Sequence, residues 1–103
     1  MKIIHGSRGS GKSTNCIAYA WITNSTIIVS DLKRKSYLDN EAYRMGYSNV
    51  EVITIQQYMS TIYGNYPKSI IIDELDDVLH YIFNADIAIV TTSCKIKELG
   101  RKL

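Results

Sequence analysis

The chain has 103 residues, enough for one domain with one modest core and too few for two. It is 46% hydrophobic and 21% charged, as globular proteins are, and no apolar run approaches the roughly 18 residues that a membrane helix needs. A net charge of +2 is too small to imply a polyanionic partner by itself, and Cys16 and Cys94 lack metal-ligand spacing, which leaves them as small hydrophobes in a reduced setting.

Lys2 to His5 reads as a short strand that begins directly after the initiator, with no signal-peptide pattern; the expected compartment is cytoplasmic. Gly6-Ser7-Arg8-Gly9-Ser10-Gly11-Lys12-Ser13 follows, and fits Gly, four free residues, Gly, Lys, then Ser or Thr. Gly6, Gly9 and Gly11 permit positive φ and close approach to a ligand, so that backbone N–H groups form a nest for phosphate oxygens. A helix predicted from Lys12 to Ile22 adds the positive end of its dipole, with Cys16, Ile17, Ala20 and Trp21 as its apolar face. The residues of a phosphate site are then Gly6, Ser7, Arg8, Gly9, Ser10, Gly11, Lys12, Ser13 and Thr14, with Lys12 reaching the β- and γ-phosphates and Ser13 offering its hydroxyl to Mg²⁺.

Thr26-Ile27-Ile28-Val29 is a continuous β-branched run, the mark of a parallel strand buried on both faces. Ser30 to Lys35 leaves its end as a turn, and a helix starts at Ser36 with Asp39 as capping-box partner, Leu38, Ala42 and Met45 inside, and Gly46 as C-terminal cap. Val50 to Ile55 has polar residues inside it and is the candidate sheet edge. Gln56 to Tyr63 is a short helix ended by Gly64 to Pro67.

Ser69 to Glu74 is a second buried strand, with Asp73 and Glu74 at its carboxyl end. Leu75, Val78, Leu79, Ile82 and Phe83 mark the clearest amphipathic helix, and Asp86 to Val90 a further strand ending in Thr91-Thr92-Ser93. Ile96, Leu99 and Leu103 give the tail helical spacing. Strand and helix alternate five times, which predicts a parallel sheet with helices on both faces. Brändén's rule then gathers the glycine loop, Asp73, Glu74 and Thr91 at the carboxyl ends of the strands.

A hydrophobic strand ending in Asp-Glu complements such a loop. Asp73 would hold the metal and Glu74 would orient and polarise an attacking water; the alternative is a pair of acids favoured by a helix N-terminus. Thr91 offers a hydroxyl to sense the γ-phosphate, or else caps the tail helix.

With these residues in place the chain resembles a P-loop NTPase. Gly6 to Ser13 is similar to a Walker A motif, and Ile70 to Glu74 to a Walker B motif with the added glutamate. The pair resembles the RecA-like, helicase and AAA+ group, with an additional strand and a catalytic Glu. The order of parts resembles the first motor domain of a helicase, and the small size a bacteriophage ATPase. The resemblance implies one domain over residues 1–103, a three-layer αβα P-loop fold and a five-stranded parallel sheet of order 3-2-4-5-1. It implies ATP and Mg²⁺ as cofactors, ATPase activity with Glu74, Lys12 and Thr91 as catalytic residues, and Ser13 and Asp73 as metal ligands. It places the protein in the cytoplasm, of a bacterial host if phage-encoded.

A helicase also has a second motor domain, which these 103 residues do not contain, and no arginine finger is assigned in cis. A second copy or a protein partner would supply one, from Arg8, Arg34, Arg44 or Arg101. Lys33-Arg34-Lys35 is either a nucleic-acid contact or a solvated turn. Competing activities are a thymidine-kinase-like nucleoside or nucleotide kinase, which would need an acceptor pocket and a lid, and a non-enzymatic module whose assembly follows the nucleotide.

Overall fold

The computed structural model describes residues 1–7, 9, 11–60 and 66–99. In chain order its elements are β1 (Ile3–Gly6), α1 (Lys12–Thr23), β2 (Thr26–Val29), α2 (Leu32–Arg44), β3 (Val52–Thr54), α3 (Ile55–Met59), β4 (Ile70–Ile72), α4 (Leu75–Phe83) and β5 (Ile96–Leu99). All strand pairs are parallel.

β2 is the hub. Its four β-branched residues are all buried, and it lies between β3 and β4. Alternation along the strand sends Ile27 and Val29 to one face, where they pack with Ile17 of α1 and with Leu38 and Ala42 of α2. Ile28 goes to the other face and meets Ile55 of α3 and Val78 of α4. Helices therefore cover both faces of this sheet, as parallel strands require. β3 is an edge, as its polar residues predict.

The expected single five-stranded sheet is replaced, among the described residues, by two: β3-β2-β4 and a separate β1-β5 pair. α1 packs on β1, β2 and β4, and so ties the two together. Three sequence expectations change with this. β4 is an edge rather than a buried strand, and Ile70 and Ile72 are exposed. Asp86 to Val90 forms no strand, and Ile89 is 82% exposed. The described part of the tail is a strand in place of the expected helix: Ile96–Leu99 pairs with Ile3–Gly6 residue for residue. The three are linked: residues 96–99 take the place beside β1, and with residues 86–90 irregular one edge of β4 is left unpaired among the described residues. The place of Leu103 lies outside the described residues, as do residues 61–63 of the predicted Gln56–Tyr63 helix and residues 64–65 of the turn after it.

The largest shift concerns α2, which starts four residues before the expected Ser36. Asp31, extended at φ −151°, accepts the Arg34 N–H at 2.8 Å and is the true N-cap. Asp39 serves instead as ion-pair partner to Lys35 at 2.7 Å. Lys33, Arg34 and Lys35 thus occupy the first turn, where cations oppose the helix dipole. The Asp31 cap and the carboxylates that face Arg34 and Lys35 offset that cost.

Candidate functional site

β1 ends at Gly6 and α1 begins at Lys12. Gly9 (φ 80°) and Gly11 (φ 90°) take left-handed backbone that an L side chain would strain. Gly6, by contrast, is the buried last residue of β1 and pairs with Leu99. Gly11 is also the N-cap of α1 and brings no side-chain acceptor. Among the described residues, the start of this 12-residue helix therefore has no side-chain cap from its N-cap residue, an arrangement that suits an anion. Arg8 and Ser10 lie outside the described residues.

The facing wall comes from the end of β4. Asp73 donates its N–H to Ile28 O at 3.0 Å, which prolongs the β2–β4 ladder by one bond and fixes its backbone. Its side chain is only 2% exposed. Glu74 follows with φ 56° and ψ 73°, left-handed backbone that is uncommon outside glycine, and is the N-cap of α4. Asp76 and Asp77 lie in the first turn of α4, where the dipole favours them.

The two walls are joined by charge. Lys12 Nζ stands 3.1 Å from Glu74 Oε1. Arg34 Nε donates to Asp73 Oδ2 at 2.6 Å, and Arg34 Nη2 donates to Ser13 Oγ at 2.9 Å. The Cys16 Sγ–H completes the set from α1, donating to Asp73 Oδ1 at 3.8 Å. Ser13 and Asp73, sixty residues apart in sequence, therefore converge on one cationic group. A hydroxyl and a carboxylate are the hard oxygen donors that Mg²⁺ takes when other ligands complete its shell. Among the described residues no three His, Cys, Asp or Glu side chains cluster into an all-protein metal cage.

Lys12, Ser13, Asp73 and Glu74, the residues that sequence reasoning singled out, come together. Arg34 was expected in a turn or at a neighbour's site and lies in this one instead. A helix begun at Leu32 puts Arg34 at its third position, and helical side chains lean back toward the N-terminus. For α2 that direction is the carboxyl end of β2, beside Asp73. The spacing Asp31-Leu32-Lys33-Arg34, a capping acceptor with the N–H it binds three residues on, is the sequence signal that could have located it. The Arg34 guanidinium also sits 5.0 Å from the ring centre of Tyr37, one turn along.

The electrostatics follow. Burial works against the Arg34 cation, but the Asp73 hydrogen bond and charge outweigh it and hold the guanidinium above its ordinary value. Burial, then the Asp73 charge and hydrogen bond, push the Cys16 thiol up to about 12. Partial burial and the carboxylates of Asp76 and Glu74 raise Asp77.

Lys12, Ser13, Arg34, Glu74 and Asp77 line a cleft of about 570 Å³ that reaches from Ser7 and Gly9 across Thr14 to Tyr37 and Glu41. A larger cleft of about 720 Å³ lies at the amino ends of β2 and β3, among Trp21, Asn24, Thr26, Glu51 and Lys68. Its carboxylate, Glu51, already accepts from Thr26 at 3.0 Å, whereas the smaller cleft holds Lys12, Ser13, Arg34 and Glu74, with Asp73 buried and bonded to Arg34.

Thr91 is exposed on the irregular stretch after α4, not at a strand end. Of the basic triplet, Lys33 is exposed while Arg34 and Lys35 are ion-paired. Arg44 pairs with Glu41 on the same helix, and Arg101 lies outside the described residues. No described helix is long and apolar enough to cross a membrane. Comparisons with family models, curated proteins and solved structures returned no match to this chain.

Proposed function

We propose that the chain binds ATP with Mg²⁺ and hydrolyses it to ADP and phosphate. One observation carries this: Ser13, from the glycine-loop side, and Asp73, from the end of β4, converge on a single cation, with Lys12 and Glu74 paired beside them. A chance Gly/Ser loop has no reason to meet an Asp-Glu strand end in this way. The parallel order β3-β2-β4 supports the RecA-like resemblance for the part of the sheet it covers; β1, which feeds the loop, pairs with β5 in a separate sheet.

The loop from Gly6 to Thr14 and the uncapped start of α1 would receive the phosphates. Lys12 would turn from Glu74 to the phosphate oxygens, a stronger anionic partner. Glu74, released from Lys12, would orient water and accept its proton. Ser13 and Asp73 would hold Mg²⁺, which when bound neutralises the charge on the phosphate oxygens. Thr91 is assigned no step. An arginine from a second copy or a partner, and a nucleic acid as activator, remain part of the proposal.

The test is fluorescent ATP-analogue binding and phosphate release by the full chain and by Lys12→Ala, with and without Mg²⁺, single-stranded DNA and duplex DNA. Saturable binding that Lys12→Ala abolishes, with ADP and phosphate in equal amounts, supports the proposal. Transfer of labelled phosphate to a nucleoside would replace it with the kinase, and binding without turnover under any condition with the assembly module. Absence of nucleotide binding would overturn all three.

A further inference from the structure

We propose that Arg34 holds the place of the divalent cation in the nucleotide-free site and yields it only when metal arrives together with nucleotide. This rests on the function proposed above, and goes beyond it by giving one residue control over the order of binding.

The two oxygens that the function assigns to Mg²⁺ are the two that Arg34 holds: Asp73 Oδ2 at 2.6 Å and Ser13 Oγ at 2.9 Å. Mg²⁺ would approach such oxygens to about 2.0–2.1 Å. A guanidinium spanning the same pair cannot stay while the ion enters, so the two cations exclude each other. Asp73 has little alternative. Its side chain is buried, and its other oxygen faces Cys16 Sγ at 3.8 Å.

Free Mg²⁺ is a poor competitor for this place. It sheds its water reluctantly, whereas Arg34 is tethered, fixed in the first turn of α2 by the Asp31 cap, and set against the Tyr37 ring. Metal carried by nucleotide competes differently. Phosphate oxygens complete its shell, and the same oxygens accept from the displaced guanidinium, which lines the cleft. Metal and nucleotide therefore enter as a coupled pair, and Arg34 is a positioning residue that sets the coupling.

The experiment uses the full chain with Mn²⁺ as a spectroscopic probe. In electron paramagnetic resonance titrations without nucleotide, Arg34→Ala should bind Mn²⁺ at least about tenfold more tightly than the parent, and the difference should shrink to within about threefold once ATP is present. Removing Arg34 leaves Asp73 buried without its cation, so a second measurement uses the unaltered protein. The ¹⁵N resonance of Arg34 Nε–H, identified by its loss in Arg34→Lys, should stay put with Mg²⁺ alone and move when Mg²⁺ and ATP are added together. Equal Mn²⁺ affinity in parent and variant would overturn the proposal. So would an unmoved Nε–H resonance in protein that has demonstrably bound Mg²⁺ and ATP, an outcome that leaves the ATP site standing. If the parent binds no nucleotide at all, both proposals fall.

Discussion

Lys12 Nζ and Glu74 Oε1 lie 3.1 Å apart, so the cation that opens α1 and the acid that caps α4 are each other's counterions. Neither is deeply buried; their side chains are 26% and 31% exposed. Such a pair contributes about 0–1 kcal/mol to stability. Lys12→Ala should therefore leave the thermal midpoint nearly unchanged while nucleotide binding is lost. Melting curves and a fluorescent-nucleotide titration on the same samples check both halves. Tight nucleotide binding by the variant would show that the loop is no phosphate site.

Glu74 combines a functional candidate with strained backbone. Left-handed geometry in a non-glycine residue costs on the order of 1 kcal/mol and is sustained only where the surroundings impose it. Glu74→Gln should keep nucleotide affinity and lose turnover by roughly 10²–10⁴. Glu74→Gly should be more stable than Glu74→Ala by about 1 kcal/mol in urea denaturation, because glycine accepts φ 56° without penalty. If alanine proves as stable as glycine there, the backbone at 74 is not strained. Unchanged turnover in Glu74→Gln would leave Glu74 only its place at the start of α4.

Much of this arrangement was legible in the residues. The β-branched run at 26–29 marks a strand buried on both faces, and β2 is that strand. Gly9, Gly11 and the apolar positions Ile17 and Ala20 fix the turn into α1 and its buried side. Asp73 and Glu74 follow their strand to the place where α1 starts, within reach of Lys12 and, through Arg34, of Ser13. What the sequence hid depends on tertiary choice. The 86–90 and 96–99 segments both offer apolar residues for the place beside β1, and local propensity does not say which pairs. Arg34 was hidden because three cations in a row argue against a helix start, and only the carboxylates of Asp31, Asp73 and Asp39 make that start acceptable.

Cys16 should be a poor nucleophile. Its thiol, ordinarily near 9.0, is pushed up to about 12 by burial and by Asp73. At pH 8.5 its alkylation by iodoacetamide should run on the order of 10²–10³-fold slower than that of an unfolded-chain thiol, because the thiolate is the reactive form. Mass spectrometry of native and denatured protein, with Cys16→Ser as control, reads the rate at each cysteine. Between pH 9.0 and about 12 the folded chain keeps a proton that the unfolded chain loses. Stability from this group is therefore complete below pH 9.0 and falls as pH rises through that window. Rapid labelling of native Cys16 at pH 8.5 would argue against its contact with the buried carboxylate.

Three apolar positions that the sequence assigns to packed elements should respond differently to truncation. Ile17 of α1 is fully buried against α2 and β2, so Ile17→Ala removes packed methylenes and leaves a cavity that rigid neighbours cannot refill. The expected cost is about 2–5 kcal/mol. Val78, buried against Ile28 and Ile55 on the other face, loses fewer atoms in Val78→Ala and should cost about 1–3 kcal/mol. Ile89 belongs to a run with the composition of a core strand, yet it is 82% exposed. Its truncation to alanine uncovers almost nothing, and the change should stay within about 0.5 kcal/mol. Urea denaturation of the three variants, compared at a common slope, decides the matter. A cost for Ile89→Ala as large as that for Ile17→Ala would mean that residues 86–90 are packed in solution, and would return the strand that their composition predicts.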